Sequence, residues 1–347
     1  MKFDNKIKIG KRTISALHSC FIIAEAGVNH GGDLGLAYRL IDLAAEAGAD
    51  AVKFQAFRTE HLILENVEKA PYQKNTTTAS ESQFEMLKKL ELRTEQYQLL
   101  KEHCAKRKII FLITPFDETS LGELEKVGVQ AYKIASTDTT NLPFLKKVAK
   151  TKKPILLSTG MCYYDEVKAA LKEINVFNKK VVLLQCTANY PIKDEEANLN
   201  VINTFKKDLD VLVGYSDHSV GVGAAPYAVP MGAVVLEKHF TLDKTLAGPD
   251  HLASLDPAEL KLFVQQVRQI EKYMGSFVKE PIEPEKKTRR SLQKCLVAAN
   301  DILKGQLIRE SDIVAKRTGG KGISPLYYKR VIGKRAKRNF KKNDIIR

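Results

Sequence analysis

The 347-residue chain contains no apolar run near the roughly 20 residues that a bilayer-crossing helix needs, so no membrane span is expected. Its opening, MKFDNKIKIGKRTISALHSC, lacks the apolar core of roughly 7–15 residues that marks a secretory signal. Cysteine is sparse and scattered: Cys20, Cys104, Cys162, Cys186 and Cys295 form no CxxC pair, and their number is odd. That pattern speaks against a disulfide framework and against a thiolate zinc site, and leads to the expectation of a reducing, cytoplasmic setting. No GxGxxG follows an apolar run, which weakens a nucleotide-binding open sheet as an alternative. No GxSxG is present, and the Ser216–His218 stretch is contiguous, whereas hydrolase triads draw on separate segments.

What the chain does have is an ordinary globular balance, 44% hydrophobic and 28% charged, with a net charge of +15. The charge is unevenly placed. Residues 279–347 hold 20 basic and 7 acidic side chains, whereas residues 1–278 hold 36 and 34. The shift, at the Pro- and charge-rich stretch MGSFVKEPIEPEKKTRR, predicts a boundary: residues 1–275 as one domain with a short extension over 1–20, a linker over 276–290, and a small domain over 291–347. A basic tail can grip nucleic acid, but Tyr327, Tyr328 and Phe340 make no stacking series. Attraction of a small anionic substrate is the expectation, with no nucleic-acid partner.

In residues 1–275 eight short β-branched runs alternate with amphipathic stretches. The runs are FIIAEAG (21–27), AVKFQA (51–56), IIFLIT (109–114), AYKIAS (131–136), ILLST (155–159), VVLLQC (181–186), VLVGYS (211–216) and VVLEKHF (234–240). Alternation of this kind predicts parallel pairing through right-handed crossovers, and eight units predict a (β/α)8 TIM barrel in the α/β class. Nearly every run ends in a reactive group: Glu25, Lys53 with Gln55, Thr114, Lys133 with Ser136, Ser158, Thr187 with Tyr190, Ser216 with His218, and His239. Strand ends of a barrel converge on one mouth. Two lysines with Thr114, Ser136, Ser158 and Ser216 make a cradle for an anion. His218 and His239, on neighbouring strands, could share one divalent cation and leave positions open for water and substrate. Glu25 could orient a ligand or move a proton. The long polar connection from Phe57 to Gln83 is placed to cover the mouth.

These segments resemble the sialic acid synthase family, which makes nine-carbon nonulosonic acids. The resemblance runs through IIAEAGVNHGGD, GADAVKFQ, ITPFD, YKIAS, LSTGM, QCTANYP, GYSDHS and EKHFTLDKTLAGPDHLASLDP, and the tail DILKGQLIRESDIVAKR is similar to the antifreeze-like (β-clip) domain that ends these synthases. It implies that carbon 3 of phosphoenolpyruvate attacks the aldehyde of an open-chain N-acetylated hexose. The sugar is N-acetylmannosamine or 2,4-diacetamido-2,4,6-trideoxymannose, which the sequence does not separate. It further implies Lys53, Thr114, Lys133, Ser136, Ser158 and Ser216 as phosphoenolpyruvate ligands, and Gln55, Asp138, Tyr190 and Asp250 as sugar contacts. Glu25 is implied as the acid or base near carbon 2, and manganese, magnesium or cobalt at His218 and His239. The resemblance implies, too, a domain-swapped homodimer in which Arg317 enters the neighbouring active site. Thr137 and Asp138 stand where many bacterial members carry Gly-Glu, and Ala188 where Asn or Ser is common. Two other readings are a phosphoenolpyruvate aldol synthase acting on a sugar phosphate, which would need further basic residues, and a catalytically silent binding barrel.

Overall fold

The computed structural model describes residues 1–77 and 81–347. Part of the hydroxyl-rich stretch expected to cover the mouth, residues 78–80, lies outside the described residues. The chain divides into two units, Met1–Gly275 and Ser276–Arg347.

The first unit opens with a hairpin, β1 (Ile7–Ile9) against β2 (Arg12–Ile14). Eight parallel strands follow: β3 (Phe21–Gly27), β4 (Ala51–Ala56), β5 (Ile110–Pro115), β6 (Tyr132–Ile134), β7 (Ile155–Ser158), β8 (Val181–Cys186), β9 (Leu212–Asp217) and β10 (Val235–His239). Each lies within a residue or two of a β-branched run in the sequence. Their hydrogen-bonded order is β5-β4-β3-β10-β9-β8-β7-β6, and β5 lies against β6, so the sheet closes as a TIM barrel. Local chemistry sets the helix ends. The Asp33 carboxylate accepts from the Leu36 amide at 2.7 Å to start Leu34–Ala47, and Gly48 ends it with a φ of 84°. Asp256 and Glu259 form a capping box on Pro257–Met274.

Side-chain parity divides the barrel. Ile22, Ala24, Val52, Phe54, Leu183 and Leu236 point outward into the layer between strands and helices. Phe21, Ile23, Ala51, Leu112, Leu156, Val182, Leu184 and Val235 point inward, where Ile7, Ile9 and Ile14 of the hairpin join them. The segment read only as an extension is therefore the plug of the N-terminal end of the barrel.

The second unit is built on an antiparallel pair, β11 (Lys294–Ala298) and β12 (Ile313–Arg317), with a core of Leu296, Ile302, Ile308, Val331, Phe340 and Ile346. The stretch expected as a linker, residues 276–290, runs into a helix, Glu283–Leu292, exposed along its length. Its acidic first turn and basic last turn match the helix dipole, and Pro284 stands in the first turn, where its missing N–H has no partner to lose.

Candidate active site

At the C-terminal end of the barrel the last inward positions of the strands are polar, and they line a cavity of about 580 Å³. Glu25, Lys53, Gln55, Thr114, Lys133, Ser136, Ser158, Tyr190, Ser216, His218, His239 and Asp250 all line it. Barrel register explains the convergence: Glu25 on β3 pairs with Lys53 on β4 and with His239 on β10, while Glu237 on β10 pairs with Ser216 on β9.

The floor is a charge network. Lys53 Nζ lies 2.7 Å from Glu25 Oε2 and 3.8 Å from Glu237 Oε2, and it donates to Thr114 Oγ1 at 3.2 Å. Lys133 Nζ lies 3.4 Å from Glu237 Oε1, to which Ser216 Oγ donates at 3.0 Å. Gln55 Nε2 donates to the other oxygen of Glu25 at 3.4 Å. Burial acts on every member. It pushes the Glu25 carboxyl up to about 7, against the pull of Lys53. It would lower Lys53 as well, but Glu237 and Glu25 outweigh it and hold that ammonium above its usual value. Lys133 has less compensation and stays below its usual value. Glu237, between the two lysines, is held below the carboxylate range in spite of burial. An incoming anion would compete with Glu237 for two cations and one hydroxyl already in place.

The hydroxyls are prepared differently. Ser158 Oγ is buried without a hydrogen-bond partner. Ser136 Oγ accepts from the Gly160 amide at 2.9 Å, which leaves its proton free to donate. A Cβ at Gly160 would stand 2.9 Å from both Ser136 Oγ and the Ala188 methyl, so glycine is what lets the two loops meet.

On the β9–β10 side the rings of His218 and His239 have centroids 5.6 Å apart, with the Tyr190 ring tilted by 38° against His218 at 3.9 Å. His218 Nδ1 donates to the Thr187 carbonyl at 2.7 Å, which leaves Nε2 as a lone-pair donor. His239 Nδ1 is buried without a hydrogen bond, 4.0 Å from Asp250 Oδ2. Burial, with His218 adding to it, holds His239 well below its usual value and hence neutral, and burial raises Asp250 to about 6. Among the described residues no three His, Cys, Asp or Glu side chains gather closely enough to enclose a metal. Two imidazoles facing a polar cavity, His239 held neutral and His218 drawn upward by Cys186 against its burial, fit an open cation site, not a closed structural one.

One wall is largely apolar. Val28, Phe57, Leu62, Ile63, Pro71, Met86, Leu87 and Phe116 line it, much of it drawn from short helices in the β4–β5 connection, which also bring Gln73 and Gln83 to the cavity. Among the described lining residues, Lys53 and Lys133 are the only lysines or arginines.

Two sequence-derived positions lie elsewhere. Asp138 does not line the cavity. Its carboxylate accepts from Asn141 Nδ2 at 3.0 Å, and Thr137 takes the place on the wall, because Ser136–Asp138 forms a 3-10 turn that rotates the aspartate away. Arg317 belongs to the second unit, where it ends β12 with an exposed side chain. Sequence reasoning missed Glu237, which the two-residue period puts on the same face of β10 as His239 without saying which face that is. The apolar wall was also missed, since it assembles from helices too short to show periodicity.

The profile of the NeuB family matches residues 40–279, and that of the SAF domain matches residues 293–347. The chain is 46% identical to an N,N'-diacetyllegionaminic acid synthase of Campylobacter jejuni, over 94% of this chain and 98% of that protein. It is 44% identical to an N,N'-diacetyllegionaminic acid synthase of Legionella pneumophila, over 93% and 92% respectively. Among solved structures it is similar to the N-acetylneuraminic acid synthetase of Leptospira borgpetersenii in complex with citrate. The TM-score is 0.75 and the identity 37%, covering 84% of this chain and 98% of that one.

Proposed function

The chain belongs to the NeuB family, and from that membership and its pocket we propose that it condenses phosphoenolpyruvate with 2,4-diacetamido-2,4,6-trideoxymannose to give a legionaminic acid and phosphate. The reaction class is that of a nonulosonic acid synthase. Carbon 3 of phosphoenolpyruvate bonds to the aldehyde carbon of the open-chain sugar and the aldehyde oxygen takes up a proton. Water adds at carbon 2, and phosphate leaves with cleavage of its bond to carbon.

The floor of the cavity suits the first substrate. Lys53 and Lys133 neutralise its phosphate and carboxylate, and the Ser136, Ser158, Ser216 and Thr114 hydroxyls add directed donors. The unpartnered Ser158 Oγ is what such a cradle leaves when its anion is absent. Glu25, poised near neutrality beside Lys53, exchanges the proton of the water that adds at carbon 2. His218 and His239 would hold a divalent cation, Mn2+, Mg2+ or Co2+, which when bound supplies Lewis acidity to the aldehyde oxygen.

The wall carries the choice of sugar. An apolar surface with no further lysine or arginine favours a 6-deoxy acceptor with a methyl end, and it disfavours a sugar phosphate, whose second phosphate would lack a partner. Gln55, Tyr190 and Asp250 contact the sugar. Its N-acetyl group meets Arg317 of a second copy in a domain-swapped homodimer, so Arg317→Ala raises KM for the sugar more than for phosphoenolpyruvate. Equal loss of both overturns that assignment. Free thiols at all five cysteines suit a cytoplasmic setting.

Phosphate release by metal-stripped protein tests the reading, with phosphoenolpyruvate and each of two sugars, with and without Mn2+. Metal-dependent release with 2,4-diacetamido-2,4,6-trideoxymannose and little with N-acetylmannosamine supports it. The reverse preference makes the product sialic acid. No release with either sugar overturns the proposed acceptors.

A further inference from the structure

On the outward face of the same two strands sits a buried ion pair. Lys238 and Asp217 are cross-strand neighbours, their side chains have no exposure to solvent, and Lys238 Nζ lies 2.8 Å from Asp217 Oδ2. Each immediately precedes one of the two histidines. Neighbouring outward positions, Leu236, Ile22 and Ala24, are apolar, as expected for the layer between strands and helices.

The pair's hydrogen bonds are nearly all directed at the turn that follows His218. Asp217 Oδ1 accepts from the Ser219 amide at 2.9 Å and from its hydroxyl at 2.7 Å, and Oδ2 accepts from the Ala225 amide at 3.0 Å. Lys238 Nζ donates to the Ser219 carbonyl at 2.7 Å. The Tyr215 hydroxyl is 3.4 Å from Asp217 Oδ1. The His218 carbonyl accepts from the Ile192 amide at 3.0 Å and its ring donates to Thr187, so the residue is fixed from both sides. Stability alone is a weak reason for such a pair, since apolar residues of similar volume often serve as well or better.

We infer that the Asp217–Lys238 pair is the positioning device that holds His218 and His239 at one separation for a shared divalent cation. The inference rests on the cation reading given above. By joining β9 to β10 one residue before each imidazole, the pair fixes the relative height of the two rings, and its bonds to Ser219 and Ala225 prevent the turn from drawing His218 away.

The test uses full-length protein, with Mn2+ binding read from the electron paramagnetic resonance signal of the free ion and folding read from thermal melting. The double variant D217L/K238M replaces the pair with apolar side chains. It is expected to stay folded at the assay temperature, with a lower melting temperature because the Ser219 and Ala225 amides lose their acceptor, while its Mn2+ dissociation constant rises about 10- to 100-fold, the range seen when groups supporting metal ligands are removed. His218→Ala is the control for the site. If that control loses Mn2+ while the double variant binds as the wild type does, the pair is structural only and the inference fails alone. If the wild type binds no Mn2+, or the control binds unchanged, the cation reading falls and takes the inference with it. Should the double variant not fold, Asp217→Asn keeps the shape while removing the charge, and the same loss of affinity is expected of it.

Discussion

The two ends of the barrel are made by the same eight strands yet differ in almost every physical respect. At the N-terminal end, inward positions are Phe, Ile, Leu, Val and Ala, closed by Ile7, Ile9 and Ile14 of the hairpin. At the C-terminal end, a few residues along the same strands, the inward positions are Glu25, Lys53, Lys133, Ser158, Ser216, Glu237 and His239. The first end buries apolar surface at no electrostatic cost. The second keeps charges out of water, and two of them, Glu25 and Lys133, are compensated only in part by their neighbours. The contrast teaches that stability and reactivity are separated along the strand axis, so each can be altered with limited effect on the other.

The largest test of that separation is Lys133→Met. Because burial already disfavours the charge of Lys133, removing it is expected to leave the melting temperature equal or higher, while kcat/KM for phosphoenolpyruvate falls by about 10²–10³-fold. A melting temperature that drops with activity would break the comparison. The converse change is Ile9→Ala in the plug, where the side chain is fully buried. Its expected cost is about 3 kcal/mol in denaturant unfolding, with KM for both substrates unchanged.

His30, buried in the loop after β3, sharpens the comparison by adding pH. Its Nδ1 accepts from the Gly32 amide at 3.0 Å, and burial lowers it from 6.5 to about 4, with Asp33 opposing. Between those two values the unfolded chain binds a proton that the folded chain does not, so the contribution of His30 to stability falls as pH drops through that window and is flat above about 6.5. The full effect is about 3 kcal/mol, at 1.36 kcal/mol per pH unit. Unfolding free energies of the wild type and His30→Gln between pH 4 and 7.5 check it, with a shallower slope expected for the variant. The smallest change is Gly160→Ala. The added methyl displaces Ser136 from the cradle, and KM for phosphoenolpyruvate is expected to rise roughly tenfold, the equivalent of one weakened bond to a charged group. An unchanged KM would show that Ser136 does not need that anchor.

The strands and most of the mouth were legible because two local signals agree. β-branched runs of five to seven residues mark each strand, and a polar residue at the end of each run has no reason to be there unless the ends meet. Asp138 misled because its neighbours Ser136 and Thr137 do face the cavity, and only the 3-10 turn decides which of three consecutive polar residues turns away. The hairpin was illegible as a plug because six strand residues carry no sign of what they will cover.

By itself, then, the sequence determined the number and order of the strands, the amphipathic helices between them, the change of composition near residue 276 and the chemical inventory of the mouth. These are properties of short windows, where backbone preference and hydrophobic period act over a few residues. The tertiary structure alone decided which of two adjacent charged residues faces in. Glu237 points into the cavity between two lysines, while Lys238, its neighbour, points outward to Asp217. A period of two says only that the pair must face opposite ways. Closure of the barrel, a contact between residues far apart in the chain, settles which way, and with it how the charge is shared among Glu25, Lys53, Lys133 and Glu237.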